Sequence, residues 1–317
     1  MEKERLCQIY RTMKKIRLFE KKAGQLFAEG KIPGFIHVSI GQESVATGVC
    51  MQLRQDDYVL TSHRGHGHMI AKGADTRPMM AEIFGKAGGY CQGRGGSMHI
   101  ADSHIGVLGA NGIVGGGIPI SNGAAFSAQY RGTDQVAVCF FGDGASNQGT
   151  FHESLNLAAL WRLPVIFVCE NNRWAEFTSQ EDSACIEDIS MRAQGYGMPG
   201  ETVDGLDVFS VMTAAGEAIK RARAGEGPTL LEVKTYRWHG HYEGDPQKYR
   251  RAEELERARS HDPIEFFRSH VLKEKLLEEK DMEKIEEEVE RELDEAVAYA
   301  EKSPVPEFDK EPEKVYA

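Results

Sequence analysis

The chain has 317 residues, of which 27% are charged, and a formal net charge of −11 at pH 7. This length fits one large α/β domain or a domain with an appendage, and the acidic balance without clustered lysine and arginine argues against nucleic acid as a partner. Its six cysteines form no CxxC pair, and no apolar leader or apolar run approaching about eighteen residues is found, so we expect a cytoplasmic protein without a membrane span.

The hydrophobic pattern predicts the elements in chain order. Apolar residues at helical spacing predict a helix over residues 3–30, which Gly30 ends. The following stretch, roughly 33–123, is rich in glycine and histidine and is expected to be dense in loops. Between 136 and 240 the pattern alternates between helix and strand. The predicted strands lie at 136–141, 164–169, near 201–203, and at 228–234. We therefore predict an α/β fold with a doubly wound, mostly parallel sheet.

The C-terminal part is predicted to be helical and highly charged over residues 250–302. Its narrow apolar stripe is either a subunit contact or the inner face of a surface helix packed on its own domain. The stripe consists of Met282, Ile285, Val289, Leu293, Ala296 and Ala300. Residues 303–306 end the helix, and the last residues are predicted to form an extended tail. We divide the chain into an α/β domain at 1–260, which includes the N-terminal helix, and a helical extension with its tail at 261–317, packed on the same unit.

Two predicted strand ends carry polar side chains. Gly142-Asp143-Gly144 follows one apolar run, Asn171-Asn172 ends the next, and residues 149–161 between them fit a crossover helix. Ligands bind at the carboxyl ends of parallel strands, where Asp143 and Asn172 should meet. Two hard oxygen donors there suit Mg²⁺ with phosphate oxygens and water. The pattern predicts a clamp for Mg²⁺ and a diphosphate, and the alternative is a pair of unrelated turns.

The segment Thr61–His68 contains three histidines and one arginine, separated by glycines. Its three histidines, His63, His66 and His68, suggest metal ligation by spacing alone. Arg64 is a poor neighbour for a metal cation because it carries a positive charge itself. A guanidinium can instead donate two hydrogen bonds to a phosphate, and the glycines allow an anion to approach the backbone. A phosphate cradle is the favoured interpretation, and metal binding is the alternative.

The segment Gly109–Pro119 is too rich in glycine to be a regular element. It is typical of bare backbone against a flat ligand, with a helix starting after Pro119. A dinucleotide-binding loop is the competing interpretation. It is disfavoured because no GxGxxG followed by an acidic residue about twenty positions later stands in a plain βαβ unit.

These motifs together resemble a known family. The spacing from Gly142-Asp143-Gly144 to Asn171-Asn172 resembles the thiamine-diphosphate motif, and residues 145–153 and 158–161 resemble the alpha subunit of 2-oxo-acid dehydrogenases of the pyruvate, branched-chain and acetoin types. The resemblance covers residues 5–265, with five motifs in family order. It implies that thiamine diphosphate binds beside Gly144 and Ala145. Mg²⁺ would be held by Asp143, Asn172 and the backbone carbonyl near Trp174.

The resemblance also assigns roles to side chains nearer the N-terminus. Residues 34–43 match an element in which His37 faces the reaction centre and Phe35 borders the cofactor, although His37 could also be a core histidine. Arg64 matches an arginine that contacts the diphosphate, and His63 replaces the tyrosine that precedes it. Backbone around Gly112 and Val114 would contact the aminopyrimidine ring.

Residues 235–246 resemble the family's regulatory loop. There His241 would line the channel and assist transfer of a two-carbon unit to a lipoyl group, and Tyr242 replaces the serine that mammalian relatives phosphorylate. The alternative is a plain acidic turn. His63, residues 93–102 and residues 241–245 are more similar to the acetoin type than to the other types. Beyond Arg64, the motifs offer no second obvious arginine for a substrate carboxylate.

The resemblance implies an alpha subunit that cleaves acetoin and passes the two-carbon unit to lipoamide on a lipoyl-bearing acyltransferase component. Oxidative decarboxylation of pyruvate or a branched-chain 2-oxo acid is the alternative. The glutamate that activates the aminopyrimidine would come from a beta subunit, so an α₂β₂ heterotetramer is implied. Two other classes stay open, namely a nicotinamide-dependent oxidoreductase and a non-catalytic scaffold.

Overall fold

The structure is a computed structural model and describes residues 2–307. The strands are β1 (Tyr58–Ser62), β2 (Val107–Asn111), β3 (Ala137–Gly142), β4 (Val165–Asn171), β5 (Trp174–Ala175), β6 (Thr178–Ser179), β7 (Gly200–Asp204) and β8 (Thr229–Lys234). The helices are α1 (Lys3–Ala28), α2 (Glu43–Cys50), α3 (His66–Ala71), α4 (Thr76–Ile83), α5 (Gly117–Arg131), α6 (Gly149–Trp161), α7 (Gln180–Ser183), α8 (Val208–Arg223), α9 (Ala252–Ser260), α10 (Pro263–Lys273) and α11 (Glu279–Lys302).

The described residues form one six-stranded sheet in the order β2-β1-β3-β4-β8-β7, with every pairing parallel. The chain therefore crosses over at β3 and extends the sheet in both directions, as a doubly wound fold requires. This confirms the predicted fold class. The short strands β5 and β6 form a separate antiparallel pair next to the end of β4.

Helices cover both faces of the sheet. Along β3, Val138 and Phe140 pack into the core shared with α1, α2 and α8, whereas Cys139 and Phe141 pack into the core shared with α5 and α6. Alternate side chains of a strand point to opposite faces, so a strand buried on both faces is apolar at nearly every position. That is why the unbroken apolar runs predicted the central strands, and why residues 149–161 were predicted correctly as the helix α6.

The stretch 33–123 is more regular than predicted. It contains β1 and β2 as well as α2, α3 and α4. Both strands have only five residues, and β2 includes a glycine, so neither produces a long apolar run. The helix start predicted after Pro119 is also wrong. α5 begins at Gly117 and takes Pro119 into its first turn, where a missing N–H costs no intrahelical hydrogen bond.

The apolar stripe of α11 packs inside the chain. All six of its residues are buried, and the helix lies against α1 and α4. Ion pairs flank this contact, including Lys14 with Glu286 at 2.9 Å and Lys15 with Glu292 at 2.8 Å. Of the two alternatives, the structure confirms that the stripe packs on the chain's own domain and excludes a subunit contact through it. The division at residue 260 stays a prediction, and the predicted tail lies mostly beyond the described residues.

Among residues 2–307, no helix is both long enough and apolar enough to cross a lipid bilayer.

Candidate active site

A cavity of about 320 Å³ lies at the carboxyl ends of β1, β3 and β4. Nearly all of the predicted site residues line it. They are His37, His63, Arg64, Gly112, Val114, Asp143, Gly144, Ala145, Asn172, Trp174 and His241. The sequence motifs, which are far apart along the chain, therefore meet in one place, at the edge of the sheet where a parallel α/β fold binds its ligands.

Asp143 follows β3 and points into this cavity. Its side chain is only 3% exposed, and neither carboxylate oxygen has a hydrogen-bond partner. Burial raises the pKa of Asp143 to about 6. Because an ionised carboxylate without a donor is costly to bury, these two oxygens are suited to receive a cation.

Asn172 follows β4 and supplies the second predicted metal ligand. Its Nδ2 donates to Oε1 of Gln42 at 3.2 Å, which directs the amide oxygen the other way. That oxygen accepts only a long bond of 3.3 Å from the backbone N–H of Trp174. The donor set of one carboxylate and one amide, with the backbone of Trp174 adjacent, fits Mg²⁺. The roles of Asp143, Asn172 and Trp174 as ligands remain proposals.

Gly144 and Ala145 continue the turn after Asp143. A Cβ on Gly144 would come within 2.5 Å of the Cβ of Ala175 in β5, so the short β5–β6 pair can lie over this turn only if residue 144 is glycine.

On the other side of the cavity, Gly112 and Val114 form part of its rim. Val114 is 51% exposed there, which agrees with a rim that presents backbone and apolar surface to a ligand.

Three histidines come together in the cavity. The ring centroids of His37 and His63 are 4.8 Å apart, those of His37 and His241 are 5.0 Å apart, and those of His63 and His241 are 5.3 Å apart. Burial and the Arg64 cation lower the pKa of all three rings, to about 3 for His37, to about 4 for His241, and well below 6.5 for His63. All three imidazoles are therefore neutral at pH 7 in the protein without cofactor.

Arg64 is buried beside this cluster. Its guanidinium donates to the backbone carbonyl of Val38 and, at 2.8 Å, to that of His241. Burial and the nearby Arg237 cation lower the pKa of Arg64 to about 9. The residue lines the cavity as a cation held by two carbonyl groups, and its contact with a diphosphate stays a prediction.

Arg237 is a cavity residue that the sequence analysis missed, and the expectation of no second arginine is wrong. Its side chain is 1% exposed and lines the cavity. One Nη donates to the backbone carbonyl of Glu176 and to the hydroxyl of Tyr249, both at 2.8 Å, and Nε has no partner. Arg237 stands inside the quoted loop motif, but no periodic pattern indicates which of its side chains turns inward.

A network orders the loop that carries His241. The carboxylate of Asp245 accepts from the backbone N–H of His241 at 2.7 Å and from the Tyr249 hydroxyl at 2.6 Å. The same hydroxyl accepts from Arg237. The loop is therefore tied to the cavity wall rather than forming a plain acidic turn.

The alternative of a metal site built from His63, His66 and His68 is wrong. His66 bonds Glu20 and Ser97, both at 2.9 Å, whereas Nδ1 of His68 bonds the Thr61 hydroxyl at 2.7 Å and its Nε2 faces Glu170 at 3.2 Å. Among the described residues, no group of three or more His, Cys, Asp or Glu side chains is arranged to hold a metal ion.

Three further residues of the cavity wall come from outside the predicted set. Gln42 and Glu170 both line the cavity as buried polar residues. Met98 also lines it, on a loop that is organised by the buried carboxylate of Glu82. That carboxylate accepts four backbone N–H bonds of 2.7–3.0 Å, from Cys91, Gly93, Gly95 and Gly96. Such long-range contacts of a side chain with backbone leave no signal in the sequence.

One predicted site residue lies outside the cavity. Phe35 is 57% exposed and packs edge-on against Tyr242, with ring centroids 5.6 Å apart, so its contact with a cofactor stays a prediction. Asp204, the last residue of β7, and Gly205 lie at the same edge of the sheet, but they line a separate cavity with Thr235.

The chain is similar in sequence to known proteins. The sequence model of the family described as "Dehydrogenase E1 component" matches residues 11–309. The chain therefore belongs to the dehydrogenase E1 component family, whose members are thiamine-diphosphate-dependent oxidoreductases. This confirms the resemblance stated from the motifs and decides against a nicotinamide-dependent enzyme or a scaffold.

Individual relatives carry more specific names. The chain is 52% identical over 307 residues to the alpha subunit of acetoin:2,6-dichlorophenolindophenol oxidoreductase of Bacillus subtilis, covering 96% of this chain and 92% of the relative. It is 49% identical over 307 residues to the subunit of the same name from Cupriavidus necator, with the same coverage. It is 44% identical over 305 residues to the pyruvate dehydrogenase E1 component subunit alpha of Rhizobium meliloti, covering 96% and 88%.

Proposed function

We propose that this chain is the alpha subunit of a thiamine-diphosphate-dependent dehydrogenase component that cleaves acetoin and passes the two-carbon unit to lipoamide. The observation that carries the proposal is the identity of 52% and 49% to two acetoin oxidoreductase alpha subunits, against 44% to a pyruvate dehydrogenase alpha subunit. The histidine cluster in the cavity supports it, because acetoin is an uncharged substrate that neutral imidazoles can bind through hydrogen bonds.

In this proposal the chain's own residues hold the cofactor. The buried, unpartnered carboxylate of Asp143, the amide oxygen of Asn172 and the backbone carbonyl of Trp174 bind Mg²⁺. Arg64 and Arg237 offset the negative charge of the diphosphate. When bound, thiamine diphosphate would supply a nucleophilic carbon for the substrate carbonyl and a sink for the electron pair of the C–C bond.

The histidines act on the substrate side of the cavity. His37 packs against both other rings. In this proposal its imidazole faces the reacting carbonyl and donates a hydrogen bond to the carbonyl oxygen. His241 sits on the loop after β8, and its backbone is held by Asp245 and Arg64. A histidine on such a loop is placed to meet a lipoyl group that enters from an acyltransferase component of a multienzyme complex.

A second chain is needed to complete the cavity. Ile113 and Val114 line it and are nevertheless 73% and 51% exposed, so one wall is open. Large apolar side chains on the outer surfaces of α5 and α6 are also exposed, and patches of this kind mark protein–protein contacts. They are Ile120, Phe126, Tyr130, Leu160 and Trp161. Both features support a beta subunit as the partner and an α₂β₂ assembly.

Pyruvate or a branched-chain 2-oxo acid is the second candidate substrate, and Arg237 favours it. A 2-oxo acid carries a carboxylate, and Arg237 adds a second buried cation to the cavity beside Arg64. The Nε of Arg237 has no partner within the described residues, so its N–H is free to donate to such a carboxylate.

A substrate comparison with the assembled αβ complex separates the two candidates. With 2,6-dichlorophenolindophenol as electron acceptor, we expect a kcat/KM for acetoin at least tenfold above that for pyruvate, about 1.4 kcal/mol in transition-state binding. The complex carrying Asp143→Asn serves as a blank for cofactor-dependent turnover. A preference for pyruvate or a branched-chain 2-oxo acid would overturn the acetoin assignment and leave the family assignment intact.

A further inference from the structure

His63 has a position that its sequence neighbour Arg64 does not share. Its ring centroid lies 4.8 Å from that of His37 and 5.3 Å from that of His241, in the part of the cavity assigned above to the substrate. The Arg64 side chain instead turns to the carbonyl groups of Val38 and His241. The two adjacent residues therefore need not serve the same ligand, although both would be expected at the diphosphate from the sequence.

Cleavage of acetoin requires a proton acceptor, whereas decarboxylation of a 2-oxo acid does not. Acetoin cleavage breaks the bond between the carbonyl-derived carbon and the carbinol carbon, and the electron pair stays on the carbonyl-derived carbon. The carbinol carbon leaves as acetaldehyde, so its O–H bond must break, and the proton needs an acceptor. A 2-oxo acid releases CO₂ from a carboxylate that is already ionised, and that step needs no base.

An imidazole at position 63 can serve as this proton acceptor. A neutral imidazole has one nitrogen free to accept a proton, whereas a tyrosine phenol keeps its proton up to a pKa of about 10. Burial lowers the pKa of His63 well below 6.5, and the groups that face the ring, Arg64, His37, His241 and Arg237, lower it further, so the ring is neutral in the protein without cofactor. A bound diphosphate anion offsets the two arginine charges and so strengthens the ring as a proton acceptor.

We propose that His63 accepts the hydroxyl proton of acetoin as its C–C bond breaks. The imidazole at this position therefore favours an acyloin, a 2-hydroxy ketone such as acetoin, as the substrate. His37 and His241 would provide hydrogen bonds to that substrate. This inference rests on the proposed function, and it goes further by assigning the proton transfer to one residue that would otherwise be placed at the diphosphate.

The test uses His63→Gln in the assembled αβ enzyme. Glutamine keeps a hydrogen-bond donor of similar size but cannot accept the proton as a base. We expect kcat for acetoin to fall by at least about 100-fold, the usual contribution of a positioned base. The Kd for thiamine diphosphate with Mg²⁺, measured by calorimetry without substrate, should stay within about threefold. The acid limb of the pH profile of kcat should disappear in the residual activity. His104→Gln, an exposed histidine, is the matched control and should behave as the wild type.

The outcomes are distinguishable. A fall in cofactor affinity as large as the fall in turnover would place His63 at the diphosphate and overturn the inference. Unchanged acetoin turnover in His63→Gln would overturn the inference while leaving the proposed function standing. A wild-type enzyme that binds thiamine diphosphate but does not cleave acetoin would overturn the proposed substrate, and this inference with it.

Discussion

The guanidinium of Arg64 donates a hydrogen bond of 2.8 Å to the backbone carbonyl of His241. Arg64 follows β1 and His241 follows β8, two strands that are separated in the sheet by β3 and β4. The bond therefore joins distant segments of the cavity wall. Because a second Nη of the same side chain donates to the carbonyl of Val38, one planar group fixes three segments at once.

Arg64→Lys should loosen the loop that carries His241 while keeping a positive charge in the cavity. A lysine ammonium cannot reproduce the fork that reaches Val38 and His241 together. Loss of a charge-assisted hydrogen bond costs about 1.5–3 kcal/mol, so amide exchange in residues 239–244 should accelerate at least tenfold. Hydrogen exchange followed by mass spectrometry measures this, with the exposed Arg77→Lys as the control. Equal exchange in both variants would show that the loop does not depend on Arg64.

The part of the site that could be predicted is the part built on strand ends. Asp143 and Asn172 follow two neighbouring strands whose apolar runs are long and whose crossover helix has clear bounds, so their meeting follows from the topology of a parallel sheet. The family motif then predicts which ligand this pair binds, and that assignment stays a prediction.

The part that could not be predicted depends on where loops place their side chains. Arg237 and Trp238 are adjacent in a loop, yet only Arg237 lines the cavity. The meeting of His37, His63 and His241 likewise depends on three loop segments, and Glu82 reaches the backbone of a fourth. None of these contacts has a period or a fixed spacing that a sequence pattern could reveal.

Asp143→Asn should weaken cofactor binding and at the same time stabilise the cofactor-free protein. The variant loses the one carboxylate assigned to Mg²⁺, so the affinity for thiamine diphosphate with Mg²⁺ should fall at least tenfold, or about 1.4 kcal/mol. The cofactor-free protein should become more stable near neutral pH, because a buried, unpartnered charge is removed. Calorimetry and thermal melting measure the two effects.

Asp204→Asn is the matched control for that experiment. Asp204 ends β7 at the same edge of the sheet but lines the separate cavity, so its variant should bind the cofactor as the wild type does. Undiminished binding by Asp143→Asn would refute the metal assignment.

Glu82→Gln should release the loop that carries Met98. The Glu82 side chain accepts four backbone N–H bonds through two oxygens, and an amide retains only one good acceptor oxygen for them. We expect trypsin to cleave after Arg94 at least tenfold faster in the variant without cofactor, with cofactor binding slowing that cleavage. Glu283→Gln on the exposed face of α11 is the control. Identical cleavage rates would mean that other contacts order the loop.

His241→Ala should distinguish the two half-reactions. If His241 assists transfer to the lipoyl group, lipoamide-linked turnover should be lost, while C–C cleavage read out with an artificial electron acceptor should be largely kept. The measurement is a pair of steady-state assays on the assembled enzyme. His239→Ala provides the control, because His239 belongs to the same loop but lies outside the cavity lining. Equal losses in both assays would assign His241 to cleavage or cofactor binding instead.

The histidine cluster should make the cofactor-free protein sensitive to acid. Burial holds the pKa of His37 at about 3, whereas an unfolded histidine titrates near 6.5. Between about pH 6.5 and pH 3 the unfolded chain binds a proton that the folded chain does not, so the free energy of unfolding decreases as the pH is lowered, by up to about 1.4 kcal/mol per pH unit for each such residue. The raised pKa of Asp143 acts in the opposite sense over part of this window, so the comparison must be between variants. His37→Gln should lose less melting temperature between pH 7 and pH 5 than the wild type or His104→Gln does. The same acid-induced drop in all three would show that His37 is protonated as readily in the folded protein as in the unfolded chain.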